Sequence, residues 1–342
     1  MKVIVTGGTG FIGSHTVVEL MAAGYDPVIA DNLSNSELSV LDGIKEITGK
    51  QVAFEKVELS DVDSCKQFFQ KHSDAVGTIH FAALKAVGES VSQPLRYYKN
   101  NLVGLINVIE GMKENGIPNI IFSSSCTVYG QPDILPVTES SPIKIADSPY
   151  GNTKQVCEEI LRQDIKSRDD GAAAISLRYF NPIGAHKSAS IGELPIGVPA
   201  NLMPYITQTA AGLRKQLSVF GDDYDTRDGT AIRDYIHVVD LAQAHVVAIQ
   251  RLVDKKYKSQ YEVFNLGTGT GSTVLEVIQS FERSTGQKLN YKIVARRPGD
   301  ARATFADTTK ATNELGWKTK LSMDDMTASA WSWQKKLSNL DQ

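Results

Sequence analysis

Tyr150 and Lys154 are the residues of this chain whose types and spacing most directly suggest chemistry. They stand four positions apart in a helical pattern that begins at Ser148 and Pro149, so their side chains share one face. A tyrosine hydroxyl titrates near 10, and its use as a base at neutral pH requires a pKa lower by about three units, or about 4 kcal/mol. Positive charge, including that of Lys154, lowers the pKa of a phenol. The pair predicts removal of a proton from an alcohol; a solvated helix face is the alternative.

Three consecutive serines, Ser123, Ser124 and Ser125, stand at the end of a predicted buried strand. Open α/β sheets hold their ligands at the carboxyl edge of the strands. Ser125 is therefore the candidate for a hydroxyl that hydrogen-bonds the reacting oxygen. The alternative, that the serines only satisfy backbone groups at the strand end, suits Ser123 and Ser124 better.

A glycine-rich turn near the N-terminus predicts a seat for a dinucleotide. Gly7, Gly10 and Gly13 follow one another at intervals of three between a predicted strand and a predicted helix. No side chain then blocks a pyrophosphate, and the helix start offers free amide hydrogens and the positive end of its dipole. The order differs from GxGxxG, and ordinary loop glycines are the alternative. A bound nicotinamide, cationic when oxidised, is expected to help lower the pKa of Tyr150.

Asp31 indicates which dinucleotide binds. It ends the second predicted strand, close to the spacing of about 20 residues at which a carboxylate accepts hydrogen bonds from the adenine ribose. The same charge repels a 2′-phosphate, so NAD is favoured over NADP. The alternative is that Asp31 merely caps the following loop, which Asn32 and Ser34 could also do.

Strands and helices that alternate through the first half position these groups. The apolar runs predict strands at Val3–Val5, Pro27–Ala30, Val52–Val57, Val76–Phe81, Asn119–Phe122 and Ala173–Leu177. Helical spacing follows the first of these runs and is clearest over Leu95–Asn115. The alternation predicts an α/β fold with a doubly wound parallel sheet, because parallel neighbours need crossover connections.

The rhythm changes after Asn181. Residues 182–199 have little periodicity and predict a long irregular connection. Helical patterns resume at Leu202–Leu213, Val238–Leu252 and Val274–Thr285, with a strand-like run at Glu262–Leu266. We expect a larger lobe over residues 1–180 and a smaller α/β lobe over 181–342, with some segments interleaved.

Composition narrows the function classes. The chain has 342 residues, 42% hydrophobic and 22% charged, with a formal net charge of -3. These values predict a globular enzyme and give no reason to expect nucleic acid or a membrane as partner. The three cysteines lack paired spacing, no metal-ligating pattern joins the histidines, and no apolar leader opens the chain. We therefore expect a cytoplasmic protein without a metal.

Several longer segments resemble the extended short-chain dehydrogenase/reductase family, and most closely its branch of UDP-galactose (UDP-glucose) 4-epimerases. The segments that carry the resemblance are TGGTGFIGSH, DNLSNS, HFAALKAVGESV, YYKNN, SSSCTVYG, SPYGNTK, LRYFNPIGAH, NLMPYI, RDYIHVVDLA and RRPGD. They extend over nearly the full length, and the resemblance implies a Rossmann lobe and a UDP-sugar lobe.

The resemblance also implies a reaction. In this family NAD stays bound and takes hydride from C4 of a UDP-hexose while the tyrosine removes the hydroxyl proton. The 4-ketose turns over in the site and receives the hydride on its other face, which interconverts UDP-galactose and UDP-glucose in galactose metabolism. By position Tyr150 is the base, Lys154 its activator and Ser125 its hydrogen-bonding partner. Homodimerisation is implied through Leu95–Asn115 and the helix that contains Tyr150.

Further residues are carried over from the family by position. Besides the glycines and the catalytic residues, those matching cofactor contacts are Phe11, Ile12, Asp31, Asn32, Leu33, Ser34, Asn35, Ser36, Asp61, Val62, Phe81, Ala82, Ala83, Leu84, Lys85, Asn100 and Phe180. Those matching contacts to the UDP-sugar, again with Ser125 and Tyr150, are Asn181, Asn201, Leu202, Phe220, Arg233, Arg297, Asp300 and Thr304. A sugar that must turn between two faces cannot be held tightly, so affinity must come from UDP, with the arginines on its pyrophosphate. For either arginine alone, an ordinary surface position is the alternative.

Thr304 departs from the family pattern. Epimerases restricted to unmodified hexoses resemble one another in having tyrosine there, and a smaller residue leaves room beside C2. We expect UDP-N-acetylhexosamines to be accepted as well. Cys126, where alanine is frequent in the family, is interpreted as a packing residue, and His80, His186 and His237 as structural residues.

Other functions remain as alternatives. A 4,6-dehydratase on the same scaffold resembles this chain but carries an Asp-Glu pair where Val128 and Tyr129 follow Thr127. A net dehydrogenase is allowed by the fold alone. A non-enzymatic dinucleotide sensor has no need of Tyr150 and Lys154.

Overall fold

The computed structural model describes residues 1–297 and 300–340. In chain order, the strands are β1 (Lys2–Thr6), β2 (Asp26–Asp31), β3 (Ala53–Lys56), β4 (Gly77–His80), β5 (Asn119–Ser125), β6 (Ala173–Tyr179), β7 (Asn181–Ile183), β8 (Leu217–Phe220), β9 (Ile232–Arg233), β10 (Tyr235–His237), β11 (Tyr261–Leu266), β12 (Ser272–Thr273), β13 (Tyr291–Val294) and β14 (Ala303–Thr304). The helices are α1 (Phe11–Ala22), α2 (Ser39–Thr48), α3 (Val62–Lys71), α4 (Val87–Ser92), α5 (Pro94–Tyr98), α6 (Gly104–Glu114), α7 (Pro149–Lys166), α8 (Leu202–Ala210), α9 (Val238–Val253), α10 (Val274–Thr285) and α11 (Met323–Leu337).

A seven-stranded parallel sheet with strand order β3-β2-β1-β4-β5-β6-β11 forms the larger lobe. Its strands read as continuous apolar runs because helices cover both faces: Val3, Ile4 and Val5 are all fully buried. Helices α1, α2 and α9 pack on one face, and α3, α6 and α7 pack on the other. The predicted doubly wound α/β fold is confirmed. The strand order reverses between β1 and β4, which places the ligand crevice at their carboxyl ends.

The smaller lobe is built on short strands and helices. Strand β8 pairs with β13, β9 pairs with β12 and β14, and α8, α10 and α11 bury an apolar cluster of their own. Helix α9 and strand β11, however, pack with the first lobe. Both elements thus follow the expected boundary in the sequence, but β11 is a strand of the large sheet and α9 packs against it.

The helical pattern predicted over Leu95–Asn115 is continuous in space but is not one α-helix. Helix α5 passes through a π-helical turn, Lys99–Val103, into α6. A π turn carries one extra residue, and such turns occur frequently at functional sites. The turn holds Asn100 and Asn101 next to the crevice.

No helix among the described residues is long and apolar enough to cross a membrane.

Candidate active site

Tyr150 and Lys154 lie in the first turns of α7, next to the carboxyl end of β5. Ser148 caps this helix by accepting a hydrogen bond from the Gly151 amide at 3.1 Å, and Pro149 occupies its first turn. The Lys154 ammonium is 3% exposed, donates to the Ser123 carbonyl at 2.6 Å and lies 5.9 Å from the centre of the Tyr150 ring. The structure therefore brings the pair together, with Lys154 buried and Tyr150 partly exposed.

Burial shifts the pKa values of both residues of the pair when no cofactor is bound. Burial raises the pKa of Tyr150 to about 12, and its hydrogen bond with Ser125 only partly offsets this. Burial also lowers the pKa of Lys154 to about 8. In the protein without its cofactor, removal of water thus opposes the charged forms of both residues. The lowered pKa of Tyr150 that is expected with an oxidised nicotinamide in place remains a prediction. Further positive charge is needed before Tyr150 can act as a base near neutral pH.

The side chains of the three serines have different interaction partners. The Ser123 hydroxyl bonds the Tyr179 hydroxyl, and the Ser124 hydroxyl donates to the Glu158 carboxylate at 2.5 Å. Ser125 caps the 3-10 turn Cys126–Tyr129, where its oxygen accepts from the Thr127 amide at 3.2 Å, and its hydroxyl is close enough to Tyr150 to oppose the rise in the pKa of that phenol. Only Ser125 thus joins the Tyr150–Lys154 pair through its side chain.

A buried polar network lies behind the pair. Glu158, one turn after Lys154 on α7, forms a two-pronged ion pair with Arg178 of β6 at 2.5 and 2.9 Å. Arg178 also donates to the Tyr129 hydroxyl at 3.0 Å, and that hydroxyl donates to Asn265 at 2.6 Å. Because every partner is buried, loss of one would leave a charge or dipole without compensation. The network fixes α7 on the sheet.

The glycine turn fits a dinucleotide. Gly10 precedes α1, and among the described residues no side chain caps this helix and no acidic residue occupies its first turn. Its first amides are thus available to an anion. A Cβ at Gly13 would lie 2.2 Å from the Gly7 carbonyl oxygen, and one at Gly7 would lie 2.7 Å from the Ala82 amide nitrogen. Only glycine allows this close approach of turn, helix and neighbouring strand.

Asp31 ends β2 beside this turn and is 8% exposed. One carboxylate oxygen accepts from the Thr9 amide at 3.2 Å, and the other accepts from the Leu33 amide at 2.9 Å and the Ser36 hydroxyl at 3.3 Å. Asp31 therefore does cap the following loop. It also lies at the carboxyl edge of the sheet, next to the glycine turn, as a ribose contact requires.

The other candidate cofactor residues lie along the same edge or just beyond it. Residues 81–85 follow β4, Phe180 follows β6, and the Asp61 carboxylate caps α3 by accepting from the Ser64 amide at 2.8 Å. Val62, the first residue of α3, is exposed. For Asp61 the structure thus supplies a helix cap as an explanation besides cofactor binding.

Asn101 is a site residue that the sequence did not single out. Its side-chain oxygen accepts from the Leu84 amide at 2.9 Å and from the Asn100 side chain at 3.0 Å. Its nitrogen donates to the Leu84 carbonyl at 3.1 Å and to the Thr153 hydroxyl at 3.0 Å. Asn101 thereby ties the loop after β4 to α7. The YYKNN segment was the only signal, and it could not say which asparagine faces inward.

The candidate UDP residues gather in the smaller lobe. Arg233 and Asp300 form an ion pair, and the Arg297 guanidinium lies 3.9 Å from the centre of the Phe220 ring. Thr304 of β14 pairs in register with Arg233 of β9. Pro298 and Gly299 of the RRPGD segment lie outside the described residues. Both arginines thus have partners within the protein.

Buried Asp234 holds this group in place. Its carboxylate accepts from the Thr268 amide at 2.7 Å, the Gly269 amide at 3.1 Å and the Ala306 amide at 3.1 Å. Its own amide donates to the Thr304 carbonyl at 3.1 Å. Asp234 therefore positions both its neighbour Arg233 and the strand that contains Thr304.

Asn181 and Asn201 are the two asparagines among the candidate sugar-contacting residues. The Asn181 amide donates to the Asp234 carbonyl at 2.9 Å. Asn201 precedes α8, of which Leu202 is the first residue, and its side chain donates to Glu193 at 2.6 Å. Glu193 was missed because it lies in the irregular segment, where spacing carries no signal. Burial raises the pKa of the Glu193 carboxyl, against the opposing effect of Lys85.

His80, His237 and Cys126 are types of residue that often act in acid-base or nucleophilic chemistry, but their surroundings disfavour the charged forms. Burial lowers the pKa of His80 and His237 to about 3 and about 4, so both are neutral. Burial also raises the thiol pKa of Cys126 to about 11, which disfavours the reactive thiolate. Within residues 1–297 and 300–340, no group of histidine, cysteine and acidic residues has the arrangement of a metal site.

The chain is similar over nearly its full length to known proteins. A family profile described as GDP-mannose 4,6 dehydratase matches residues 4–330. The UDP-glucose 4-epimerase of Bacillus subtilis is 50% identical over 334 residues, which cover 98% of this chain and 97% of that protein.

Two solved structures are similar over nearly the whole chain. The UDP-glucose 4-epimerase of Stenotrophomonas maltophila, with bound NAD and formylated UDP-arabinopyranose, is 47% identical, with a TM-score of 0.95 and 99% of each chain covered. That of Bifidobacterium longum, in complex with NAD+ and UDP, is also 47% identical, with a TM-score of 0.93 and the same coverage.

Proposed function

We infer that this chain, which belongs to the UDP-glucose 4-epimerase family of the extended short-chain dehydrogenases/reductases, is an NAD-dependent isomerase that interconverts UDP-galactose and UDP-glucose. One observation carries the inference: relatives about half identical over nearly the full length have this name, and the chain holds Ser125, Tyr150 and Lys154 together at the sheet edge. The fold alone would not support it, because one fold hosts many chemistries.

The reacting side chains have separate roles in this proposal. Tyr150 accepts the proton of the sugar 4-hydroxyl. It returns the proton after the 4-ketose has rotated in the site and presents its other face. Ser125, bonded to Tyr150, holds the same oxygen in place. Lys154 is fixed by the Ser123 carbonyl and contributes positive charge. When bound, NAD accepts the hydride from C4 and gives it back, and its oxidised ring contributes the additional positive charge that Tyr150 requires.

The chain's own residues suit NAD. The free amides at the start of α1 bind the pyrophosphate, and Asp31 accepts hydrogen bonds from the ribose hydroxyls. The loop over residues 81–85, with Asn100, Phe180 and the segments 32–36 and 61–62, completes the proposed surroundings. Asn101 stabilises this loop from behind.

The UDP-sugar is held mainly through its nucleotide. Arg233 and Arg297 bind the pyrophosphate, with Asp300 and Phe220 as further contacts. Asn181, Asn201 and Leu202 border the sugar side. Few strong contacts to the hexose leave it free to present either face to the cofactor.

The dehydratase and dehydrogenase alternatives have less support. Elimination of water across C5 and C6 needs acidic groups, but Val128 and Tyr129 follow Thr127 and are fully buried. A net dehydrogenase that oxidises an aldehyde further needs a nucleophile, and the neighbouring Cys126 has a raised thiol pKa. The name of the matching family profile therefore indicates the shared scaffold.

The activity is tested directly. Protein purified without added cofactor is incubated with UDP-galactose, UDP-glucose is resolved from it, and the absorbance of reduced nicotinamide is followed. Conversion without net NADH supports epimerisation. Stoichiometric NADH or loss of water would instead assign a dehydrogenase or a dehydratase, and no reaction even with NAD supplied would refute the UDP-galactose assignment.

The substrate range also extends to UDP-N-acetylhexosamines. Thr304 is half-buried on β14 beside Arg233, and threonine leaves volume that a tyrosine ring would fill. Thr304→Tyr is expected to lower turnover of UDP-N-acetylglucosamine at least about tenfold while turnover of UDP-galactose changes little. The measurement compares kcat/KM for both substrates. If the wild-type protein does not convert UDP-N-acetylglucosamine, the extension is wrong.

Assembly and location complete the proposal. The chain forms a homodimer through α5, α6 and α7, where Leu95 and Ile106 expose apolar surface. It acts in the cytoplasm, with no nucleic acid or membrane partner, and its three cysteines stay free. Light scattering of the purified protein tests the dimer, and a monomer that retains full activity would refute it.

A further inference from the structure

Glu193 lies where the cofactor side and the substrate side of the proposed site meet. Its Oε1 accepts from the Asn201 side chain at 2.6 Å, and the Lys85 ammonium lies 3.9 Å from the same oxygen. Lys85 belongs to the loop after β4, and Asn201 directly precedes α8. One carboxylate therefore contacts a candidate residue of each lobe.

The backbone of Glu193 is fixed although its segment is irregular. The Trp333 indole of α11 donates to the Glu193 carbonyl at 2.9 Å. The same ring packs so closely that a Cβ at Gly192 would lie 2.4 Å from it. The carboxylate is thus positioned by a packed helix rather than by a free loop.

The second oxygen of this carboxylate has no role in the fold. Oε2 is buried and has no hydrogen-bond partner among the residues that the structure describes. A buried acceptor left without a donor is costly, so such a group calls for an explanation. The hydroxyl groups of a bound sugar are donors of the required kind.

We propose that Glu193 is a sugar-binding residue whose Oε2 accepts a hydrogen bond from a hexose hydroxyl while Oε1 holds Asn201 in place. The proposal rests on the proposed function, because it takes a UDP-hexose as the ligand. It assigns to Glu193 recognition of the sugar and none of the nucleotide. The affinity for a ligand that lacks the hexose should therefore be unchanged when Oε2 is lost.

The test compares the affinities for UDP-galactose and UDP. Both are measured by calorimetry on the full chain with Tyr150→Phe, so that UDP-galactose is not converted, with and without Glu193→Gln. Glutamine keeps an oxygen for Asn201 but replaces the free acceptor by an NH2 group. The expected result is about tenfold weaker binding of UDP-galactose with unchanged binding of UDP. Equal weakening of both ligands, or no change, would overturn the proposal.

Two further variants serve as controls for this experiment. Glu46→Gln removes an exposed carboxylate that pairs with Lys336 at 3.1 Å and should change neither affinity. Glu193→Asp keeps the charge but withdraws the oxygen, so it should weaken UDP-galactose selectively even if glutamine disturbs folding; the same affinity as the parent would count against the proposal. Conversion of UDP-galactose by the wild-type protein is assayed separately, so failure of the proposed function would be recognised independently.

Discussion

The proposed catalytic edge of the large sheet and the proposed UDP-binding face of the smaller lobe hold their charged groups in different surroundings. Lys154 is 3% exposed and bonded to a strand carbonyl. The Arg233 and Asp300 side chains are 20% and 25% exposed and are bonded to each other. Arg233 also donates to the Ile232 carbonyl at 2.7 Å, so both regions anchor a cation on the backbone. They differ in that the Arg233 side chain is partly exposed and has a carboxylate partner.

The difference follows from what each region must do. A proton-transfer group gains from a fixed position and from exclusion of water, because electrostatic effects are larger in a dry site. Groups that bind and release a nucleotide must change partners in every cycle. In the proposed function, the large sheet holds the proton-transfer group in place, and the smaller lobe binds and releases the nucleotide.

Tyr150→Phe should have the largest effect on catalysis and should leave nucleotide binding unchanged. Loss of the hydroxyl removes the proton acceptor, so kcat should fall by about 10² to 10⁴-fold, with UDP affinity unchanged. Steady-state kinetics and calorimetry measure the two quantities. Tyr25→Phe, whose hydroxyl donates to Gln250 at 2.5 Å far from the site, should leave both unchanged. Equal kcat in Tyr150→Phe and wild type would remove Tyr150 from the mechanism.

Lys154→Met tests whether water is excluded from the catalytic edge around this ammonium group. The folded protein holds the pKa of Lys154 at about 8, below its ordinary value of 10.5, so the buried ammonium costs stability of about 3 kcal/mol below pH 8. Between pH 8 and pH 10.5 only the unfolded chain retains this proton, and wild-type stability from this group rises with pH.

The expected result is a pH-dependent difference in the free energy of unfolding. Without NAD, Lys154→Met should gain stability relative to wild type below pH 8, and this gain should shrink as the pH approaches 10.5, while activity is lost. Urea unfolding across this range measures it. Lys256→Met, at an exposed lysine, should show little such trend. A pH-independent difference for Lys154→Met would mean that the site is not dry.

Arg233→Ala should have a smaller effect, confined to the other region. Loss of a charge-assisted bond to the pyrophosphate is expected to weaken UDP about 10 to 100-fold, with a lesser change in kcat. Arg302→Ala, which removes an exposed arginine paired with Asp225 at 2.7 Å, is the control. If Arg233→Ala lowered kcat as strongly as Tyr150→Phe and spared affinity, the division between the regions would be wrong.

Local patterns in the sequence predicted the main elements well. The apolar run at Val3–Val5, the glycine turn and the spacing of Tyr150 and Lys154 are features of neighbouring residues, and β1, α1 and α7 form there. The π-helical turn was not predicted, because its single extra residue hardly changes a helical pattern. Nor did chain order reveal that β11 joins the large sheet.

Features that depend on burial or on distant contacts could not be predicted. The pKa of Tyr150 depends on removal of water by the folded surroundings, which spacing does not report. Glu193 meets Lys85 across more than a hundred positions of sequence and Asn201 across an irregular stretch. The roles assigned to individual site residues remain predictions for the experiments above.

If Arg233 binds the pyrophosphate as proposed, its ion pair with Asp300 makes nucleotide binding a competition between two anions. An approaching pyrophosphate meets a guanidinium that already has a carboxylate partner, and must displace it. A free hexose carries no charge and cannot do so. In that proposal Asp300 is an internal counter-ion of Arg233 until the nucleotide arrives, and it makes the pocket selective for phosphorylated ligands over neutral sugars.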